Sequence, residues 1–246
     1  MPFREADVSG EPGLLIVNDG RNSYLWDAAT RKPASALYPL RDNGEGYTPV
    51  AALSPFVSGL CAVVKAGKTG FINARGEVVI PFVYDDARIQ KNGAIMLMKQ
   101  DGGNWLYGYA DTTGRIVVPV TYSYNSSGYT SYDGTPNLLL LKKNEEDGGY
   151  LSGIADRNGH VLLPPVYDQV LTDKQGHGFL AGKNRHFQVF GKDGKSVTNL
   201  QYDDVLLEQG GGFGVAMVIY GFPLLSRKGE HYEYICEDGT KLPVKV

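Results

Sequence analysis

The chain has 246 residues but only two cysteines, and it lacks any long run of charge of one sign. Two cysteines cannot form the disulfide framework of a small secreted scaffold. Cys61 and Cys236 both stand in apolar runs, which predicts reduced core residues rather than a disulfide or a reactive thiol. The net charge of −3 and the missing basic face disfavour nucleic acid as a partner.

Long hydrophobic runs are missing as well. No stretch approaches the roughly 18 apolar residues that a bilayer span needs. The first residues, MPFREADVSGEP, lack the basic segment and apolar run of a signal peptide. We therefore expect no membrane insertion and a cytoplasmic location, while a periplasmic location stays open if a leader has been removed.

Motifs of catalysis and metal binding are also missing. The sequence contains no GxSxG, HExxH, paired CxxC or P-loop motif, and its four histidines stand on separate loops. The pairs Asp85-Asp86 and Asp203-Asp204 recur at one position of a repeat, which predicts turn chemistry rather than a carboxylate site. We therefore predict no enzyme, no catalytic residue, no cofactor and no metal site.

What the chain does contain is a repeated spacing of glycine and tyrosine. In four segments a Tyr follows a Gly by eight residues, in the pairs Gly76/Tyr84, Gly114/Tyr122, Gly159/Tyr167 and Gly194/Tyr202. A fixed internal spacing indicates tandem copies of one small unit. The constant register of the tyrosines favours a structural role, with the ring packed and the hydroxyl bonded to a neighbouring group.

Each unit reads as short strands joined by tight turns. An apolar run that ends in Lys is followed by a polar turn, a second apolar segment, the turn Gly and a third segment. Asn73, Asp111 and Asp156 lie three residues before their turn Gly, where an Asx side chain accepts backbone hydrogen bonds. Proline cannot donate to a ladder, so the prolines at 81, 119 and 164 are predicted to end the third strand.

The predicted unit is thus an antiparallel meander of three strands, with room for a fourth after the Tyr-Asp pair. Two weaker copies at the ends, the first with Thr30 in place of the turn Gly, raise the number to six. The predicted fold is all-β and forms one repeat domain over residues 1–246. Either a β-propeller-like ring or an open superhelical β-array accommodates six such units. The predicted repeats are 13–37, 56–91, 92–123, 137–172, 178–206 and 213–246.

These residues resemble the WG-repeat family, whose consensus has an apolar strand, Lys, Trp-Gly, a Gly turn, Val-Ile-Pro and Tyr-Asp. The match is strongest over Phe56–Ala87 and Leu138–Val170. Gly70, Gly108 and Gly153 stand at the family's Gly, whereas its Trp is replaced at Thr69, Tyr107, Ser152, Phe187 and Tyr232. The resemblance implies a bacterial interaction scaffold and supplies no catalytic residues.

Places where the repeat is interrupted are the predicted binding sites, because insertions in repeat folds form loops on a binding face. The interruptions are residues 38–55, 100–107, 123–137 and 220–232. Segment 123–137 is rich in Tyr, Ser, Gly and Asn, a composition that suits binding loops. The candidate partner-binding residues are Trp105, Tyr124, Asn125, Tyr129, Tyr132, Phe222 and Leu224.

The leading functional prediction is a non-catalytic protein-binding scaffold whose partner is another protein. One bacterial version is an immunity or inhibitor protein that neutralises a cognate toxin or effector. A carbohydrate or cell-wall binding module is the first alternative, because tyrosine rings stack on sugars and the chain has 16 tyrosines. A hydrolase with its site at the mouth of the repeat array is the second. The sequence leaves the oligomeric state open.

Overall fold

A computed structural model describes residues 4–42, 50–90, 93–124, 138–145, 149–172, 177–198, 202–205, 207–208, 218–219 and 221–244. Its regular structure is β throughout these ranges, with 24 strands. Within the same ranges no helix has the length and apolar character needed to cross a membrane. The chain divides into two compact units, residues 1–121 and 122–246.

The strands assigned here to sheets 1 to 3 are as follows: β1 Glu5–Val8, β2 Leu14–Asn18, β3 Asn22–Asp27, β4 Lys32–Pro33, β5 Tyr38–Pro39, β6 Cys61–Lys65, β7 Lys68–Ile72, β8 Val78–Tyr84, β9 Asp86–Ile89, β10 Ile95–Asp101, β11 Asn104–Ala110 and β12 Ile116–Tyr124. Sheet 1 contains β1–β5, sheet 2 contains β6–β8 and sheet 3 contains β9–β12.

The remaining strands are β13 Leu138–Asn144, β14 Tyr150–Asp156, β15 Val161–Tyr167, β16 Gln169–Thr172, β17 Gly178–Lys183, β18 His186–Gly191, β19 Asp204–Val205, β20 Leu207–Glu208, β21 Val218–Ile219, β22 Leu224–Lys228, β23 His231–Ile235 and β24 Lys241–Pro243. Sheet 4 contains β13–β15, sheet 5 contains β16–β18, and sheet 6 has the order β19-β22-β23-β24. Strands β20 and β21 form a separate ribbon.

The predicted all-β fold of tandem antiparallel meanders is confirmed, with one sheet for each of the six copies. The strand after each Tyr-Asp pair differs from the predicted layout. It pairs with the next meander: β9 with β10, β16 with β17 and β19 with β22. A Tyr-Asp pair therefore ends one sheet and the following residues begin another, which links successive copies through backbone hydrogen bonds.

The prolines lie in the middle of the third strand, so the prediction that they end it is wrong. In the β7–β8 pair, Thr69 faces Tyr84 and Phe71 faces Ile80, so only Gly70 opposes the three residues that include Pro81. The β14–β15 pair repeats this bulge around Gly153 and Pro164. A bulge leaves residues outside the ladder, which is why a residue without an N–H is tolerated there.

A steric constraint explains why glycine stands opposite the third strand in sheets 2, 3 and 4. A Cβ on Gly70, Gly108 or Gly153 would lie 2.5 Å from a carbonyl oxygen of the third strand. The backbones approach too closely for any side chain at this position. The Gly of the predicted WG motif is thus required by the close approach of the third strand.

Hydrophobic cores form between successive sheets within each unit. In the first unit, Leu25 of sheet 1 packs with Val63 and Ile72 of sheet 2, and Phe71 of sheet 2 packs with Ile95 of sheet 3. In the second unit, Ile154 packs with Phe179, and Val189 packs with Leu224 and Ile235. Cys61 lies in one of these cores, where burial raises the pKa of its thiol to about 12 and keeps it unreactive. Cys236 is also free and is half-buried.

Within each unit, turn glycines lie against the backbone of the preceding sheet. The Cβ position of Gly114 lies less than 3.0 Å from the carbonyl oxygen of Val79, and that of Gly194 equally close to the carbonyl oxygen of Leu162. Both carbonyls belong to the residue three positions after the previous turn glycine. In the same way, the Cβ position of Gly76 lies against the carbonyl oxygen of Ala34, and that of Gly239 lies against the carbonyl oxygen of Val197. We call the carbonyl against which a turn glycine lies the glycine seat.

Sheet 1 departs from this pattern by one residue. Its turn closes with a hydrogen bond from the Arg31 N–H to the Asp27 carbonyl, and Arg31 has the left-handed backbone, with φ of 56°. The sequence placed Thr30 at this turn position. Tyr38 then occupies the repeat tyrosine position, because it pairs with Ser23 as Tyr84 pairs with Thr69. The first copy thus extends into the predicted 38–55 insertion.

Candidate partner-binding surface

The longest hairpin with a fully described tip carries the predicted residue Trp105. Strands β10 and β11 pair as far as Asp101 and Asn104, and Gly102 and Gly103 both have positive φ, as a type I′ turn requires. Every residue from Lys99 to Trp105 is exposed, and the Trp105 side chain is 37% exposed. The hairpin therefore presents one large aromatic residue on a regular ladder.

The other predicted binding residues fare differently. Tyr124 ends β12, and its side chain lies outside the described residues, as do Asn125, Tyr129 and Tyr132 entirely. The expected exposure of Leu224 is wrong: its side chain is 1% exposed and packs in the core with Val189. Phe222 is half-buried against the same core. Both were predicted from an insertion, but β22 begins at Leu224 and turns that side chain inward.

The sequence missed a more distinctive surface on sheet 6. Tyr234 stands two residues after the family's Trp position, at the same place in the repeat as Leu25, Phe71, Tyr109, Ile154 and Val189. Those five side chains are 0%, 1%, 1%, 0% and 0% exposed, whereas Tyr234 is 37% exposed. In four of the five, the side chain packs against the sheet that follows in sequence. Tyr234 belongs to none of the core clusters that the described residues form.

Two leucines flank Tyr234 across the ladder. Leu225 faces it from β22 and Leu242 from β24, and directly opposed residues share one face of a sheet. Leu242 is 47% exposed and Leu225 is half-buried. Leu242 also stands three residues after the turn glycine Gly239, at the position of the glycine seat. We call Leu225, Tyr234 and Leu242 the forward face. Tyr232, 48% exposed, borders it on β23.

A cleft of about 570 Å³ lies beside Tyr232, at the tip of the β22–β23 hairpin. Two histidines, two carboxylates, a lysine and a tyrosine line it: His186, Asp203, Lys228, His231, Tyr232 and Glu233. In sheets 2, 3 and 4 the position of Glu233 is a glycine, whose Cβ would lie 2.5 Å from a carbonyl oxygen of the third strand. Strand β23 pairs with β24 in simple register, and there the position carries a carboxylate.

Both carboxylates of the cleft are held in place. Asp203 accepts a hydrogen bond from the Gly229 N–H at 2.8 Å and lies 3.3 Å from His186 Nδ1. The Gly229 bond is the main reason that the Asp203 pKa lies below its ordinary value. Partial burial raises the pKa of Glu233, but hydrogen bonds from Tyr202 and Lys241 outweigh it and lower the pKa overall. Both groups are therefore ionised at neutral pH.

The Asp of the Tyr-Asp pair has the same role in other sheets. Asp85 accepts the Gln100 N–H at 2.9 Å, and Asp168 accepts the Asn184 N–H at 2.8 Å. Each of these side chains ties the end of one sheet to the first hairpin of the next. The described residues contain no group of three or more His, Cys, Asp or Glu side chains that could hold a metal ion.

Comparisons with known proteins agree with the repeat. The family model described as "WG containing repeat" matches residues 70–105, 107–124 and 153–179. These segments include Gly70, Gly108 and Gly153, the glycines opposite the bulge. No curated protein matches the chain.

Solved structures show only a distant likeness. A eukaryotic initiation factor is 12% identical with a TM-score of 0.37, and the match covers 98% of this chain and 77% of that one. Hsv2p from Kluyveromyces lactis is 9% identical with a TM-score of 0.31, over 96% and 75%. TolB from Acinetobacter baumannii is 16% identical with a TM-score of 0.27, over 79% and 53%. In the three matched segments the chain is similar to WG-type repeats.

Proposed function

We propose that the chain is a non-catalytic protein-binding scaffold and that a partner protein binds the forward face of sheet 6. The observation that carries this proposal is the 37% exposure of Tyr234, whose five equivalents are at most 1% exposed. An exposed aromatic flanked by aliphatic residues is the composition of an interface centre, because such groups gain most from leaving water. Leu225 and Leu242 supply the aliphatic flanks.

The occupant that fits is a β-hairpin or meander with glycine at its turn. In four places a turn glycine lies against the seat carbonyl of the preceding sheet, and the equivalent carbonyl on sheet 6 belongs to Leu242. The first sheet of a second copy carries Arg31 in this turn, which disfavours a head-to-tail assembly of identical chains. The partner we propose is therefore a different protein.

A finer version makes the chain an immunity or inhibitor protein for a bacterial toxin or effector. The net charge of −3 favours encounter with a basic partner, because complementary charge raises association rates. Inhibition of the purified partner's activity by a stoichiometric amount of this chain tests that version. An active toxin in the presence of bound chain contradicts it without affecting the scaffold proposal.

The binding proposal is tested with a partner captured by the immobilised chain, identified and then purified. Its affinity is measured by calorimetry for the unchanged chain, for Tyr234→Asp and for Leu242→Asp. Val161→Asp is the matched control, because Val161 is also an exposed aliphatic residue, at 51%, on a third strand. A charge placed in an interface centre is expected to weaken binding about 100-fold or more.

The control fixes the interpretation. We expect Val161→Asp to bind within about twofold of the unchanged chain, because substitutions away from an interface leave its contacts intact. Equal affinities for the unchanged chain, Tyr234→Asp and Leu242→Asp would overturn the assignment of the forward face. Thermal melts of all variants show that the fold is retained.

A further inference from the structure

The cleft at the β22–β23 hairpin has a chemistry distinct from that of the forward face. Its six lining side chains offer hydrogen-bond donors and acceptors around one exposed aromatic ring. The forward face, by contrast, is aliphatic and aromatic. A partner protein on Leu225, Tyr234 and Leu242 leaves the function of this polar cleft unexplained.

Several cleft groups retain hydrogen-bonding capacity. Glu233 receives the Tyr202 hydroxyl and Lys241 on Oε1, and its Oε2 has no described partner. His186 lines the cleft, and its Nδ1 lies 3.3 Å from Asp203. Its Nε2 has no partner among the described residues. His231 and the Tyr232 hydroxyl likewise have no hydrogen bond among the described residues. An imidazole N–H and a phenol hydroxyl donate hydrogen bonds and a carboxylate oxygen accepts them, so the cleft provides both kinds of group.

The charge balance selects the ligand class. An anionic ligand would meet two ionised carboxylates, Asp203 and Glu233, against the single lysine of the lining, Lys228. Those carboxylates already have favourable partners, Gly229 and His186 for one and Lys241 and Tyr202 for the other, so a cation gains little. A neutral ligand rich in hydroxyl groups satisfies the unused donors and acceptors without adding charge.

The exposed ring adds the second requirement of such a ligand. Tyr232 is 48% exposed at the wall of the cleft, and an aromatic face binds the apolar face of a cyclic ligand by burial and dispersion. The cleft volume of about 570 Å³ lies within the range of small-molecule sites. We propose that this cleft binds a neutral saccharide, with Tyr232 stacked on the ring and Glu233, His186 and His231 bonded to its hydroxyls.

The test uses the full chain on an array of neutral and acidic oligosaccharides, followed by calorimetry with the best neutral glycan. Tyr232→Ala removes the stacking ring and Glu233→Gln removes the carboxylate while keeping a similar shape. We expect each to weaken binding about tenfold. Tyr234→Ala is the control, because Tyr234 neighbours the cleft on the same strand without lining it, and it is expected to change affinity less than about twofold.

The outcomes separate this proposal from the protein-binding one. The saccharide site is supported if the unchanged chain binds neutral glycans and if Tyr232→Ala and Glu233→Gln each bind them about tenfold more weakly. The proposal is overturned if the chain binds only acidic glycans or no glycan at all. It is also overturned if both variants bind neutral glycans as tightly as the unchanged chain does. None of these results bears on partner binding, which depends on Tyr234 and Leu242.

Discussion

Strands β11 and β23 carry the same two tyrosines at the same two repeat positions and expose them very differently. Tyr107 and Tyr109 are 0% and 1% exposed, and their rings meet edge to face with centroids 5.6 Å apart. Tyr232 and Tyr234 are 48% and 37% exposed. Residue type and strand position are equal, so neither of them accounts for the difference in exposure.

The residue between the tyrosines differs as well. Strand β11 has Gly108, because a Cβ at that position would lie 2.5 Å from the Pro119 carbonyl oxygen of β12. Strand β23 has Glu233, because its pairing with β24 has no bulge. A regular ladder thus admits a side chain where the WG-type sheets exclude one. Sheet 6 uses this freedom to place a carboxylate in the cleft.

The largest expected contrast is between Tyr109→Ala and Tyr234→Ala. Removing the buried Tyr109 ring should lower the free energy of unfolding by about 4 kcal/mol, since it leaves a cavity. Removing the partly exposed Tyr234 ring should cost less than about 1 kcal/mol. Urea denaturation of both variants measures the two values. Equal losses would mean that Tyr234 is covered in solution, which would end the comparison.

The turn glycines of the two sheets provide the next contrast. A Cβ on Gly114 would lie less than 3.0 Å from the Val79 carbonyl, whereas one on Gly239 would lie 3.0 Å from the Val197 carbonyl. Both have positive φ, so alanine is strained at both sites. We expect Gly114→Ala to cost about 3 kcal/mol and Gly239→Ala about half of that.

Gly102→Ala serves as the control for backbone strain. It also has positive φ, but nothing lies within 4 Å of its Cβ position. Its cost in the same urea experiment should be about 1 kcal/mol, which is the strain alone. A loss for Gly114→Ala no greater than that for Gly102→Ala would show that the seat carbonyl is not a steric constraint.

The position between the tyrosines gives a smaller difference. Gly108→Ala should lower the free energy of unfolding by about 2 kcal/mol, since the third strand must move away from the added methyl group. Glu233→Ala should cost about 1 kcal/mol, because it removes the acceptor of the buried Tyr202 hydroxyl. Thermal unfolding of the two variants ranks them. The reverse order would indicate that β11 accommodates a side chain as β23 does.

The smallest effect is a pH dependence specific to sheet 6. The folded pKa of Glu233 lies below its ordinary value of 4.5, so its stabilisation is fully present above that value and is lost as the pH falls through the folded pKa. Tyr202→Phe removes one cause of the lowered pKa. Its unfolding free energy should therefore fall less than that of the unchanged chain between about pH 7 and about pH 3. Parallel pH profiles would contradict this role of Tyr202.

Much of the architecture could be predicted from the sequence. Gly, Asx and Tyr-Asp at constant spacing encode turns, so the all-β meanders and their number followed from local chemistry. The mid-strand prolines were misjudged because a bulge depends on the register between two strands. The one-residue shift at Arg31 could not be predicted for a similar reason. The spacing from Asp27 to Tyr38 equals that from Asn73 to Tyr84, but the turn between Asp27 and Tyr38 is longer.

The candidate surface was harder to predict, because exposure depends on neighbouring sheets. The pattern of β23, Tyr-Glu-Tyr, differs from the Tyr-Gly-Tyr of β11 by one residue, and only Glu233 signals the difference. Had that residue been treated as a departure from the repeat, the cleft and the forward face would have been candidates. Leu224 was misassigned because strand alternation, which turns it inward, depends on where β22 begins.

The prolines inside β8, β12 and β15 have a consequence for association between molecules. These strands lie at the edges of their sheets, and an uninterrupted edge is a template for fibril growth. The missing N–H at the centre of each of these strands, with a bulge beside it in β8 and β15, interrupts the ladder that a foreign strand would have to continue. Duplication of such a unit therefore adds surface, while the proline-bearing edge of each new copy remains a poor template for amyloid-like polymerisation.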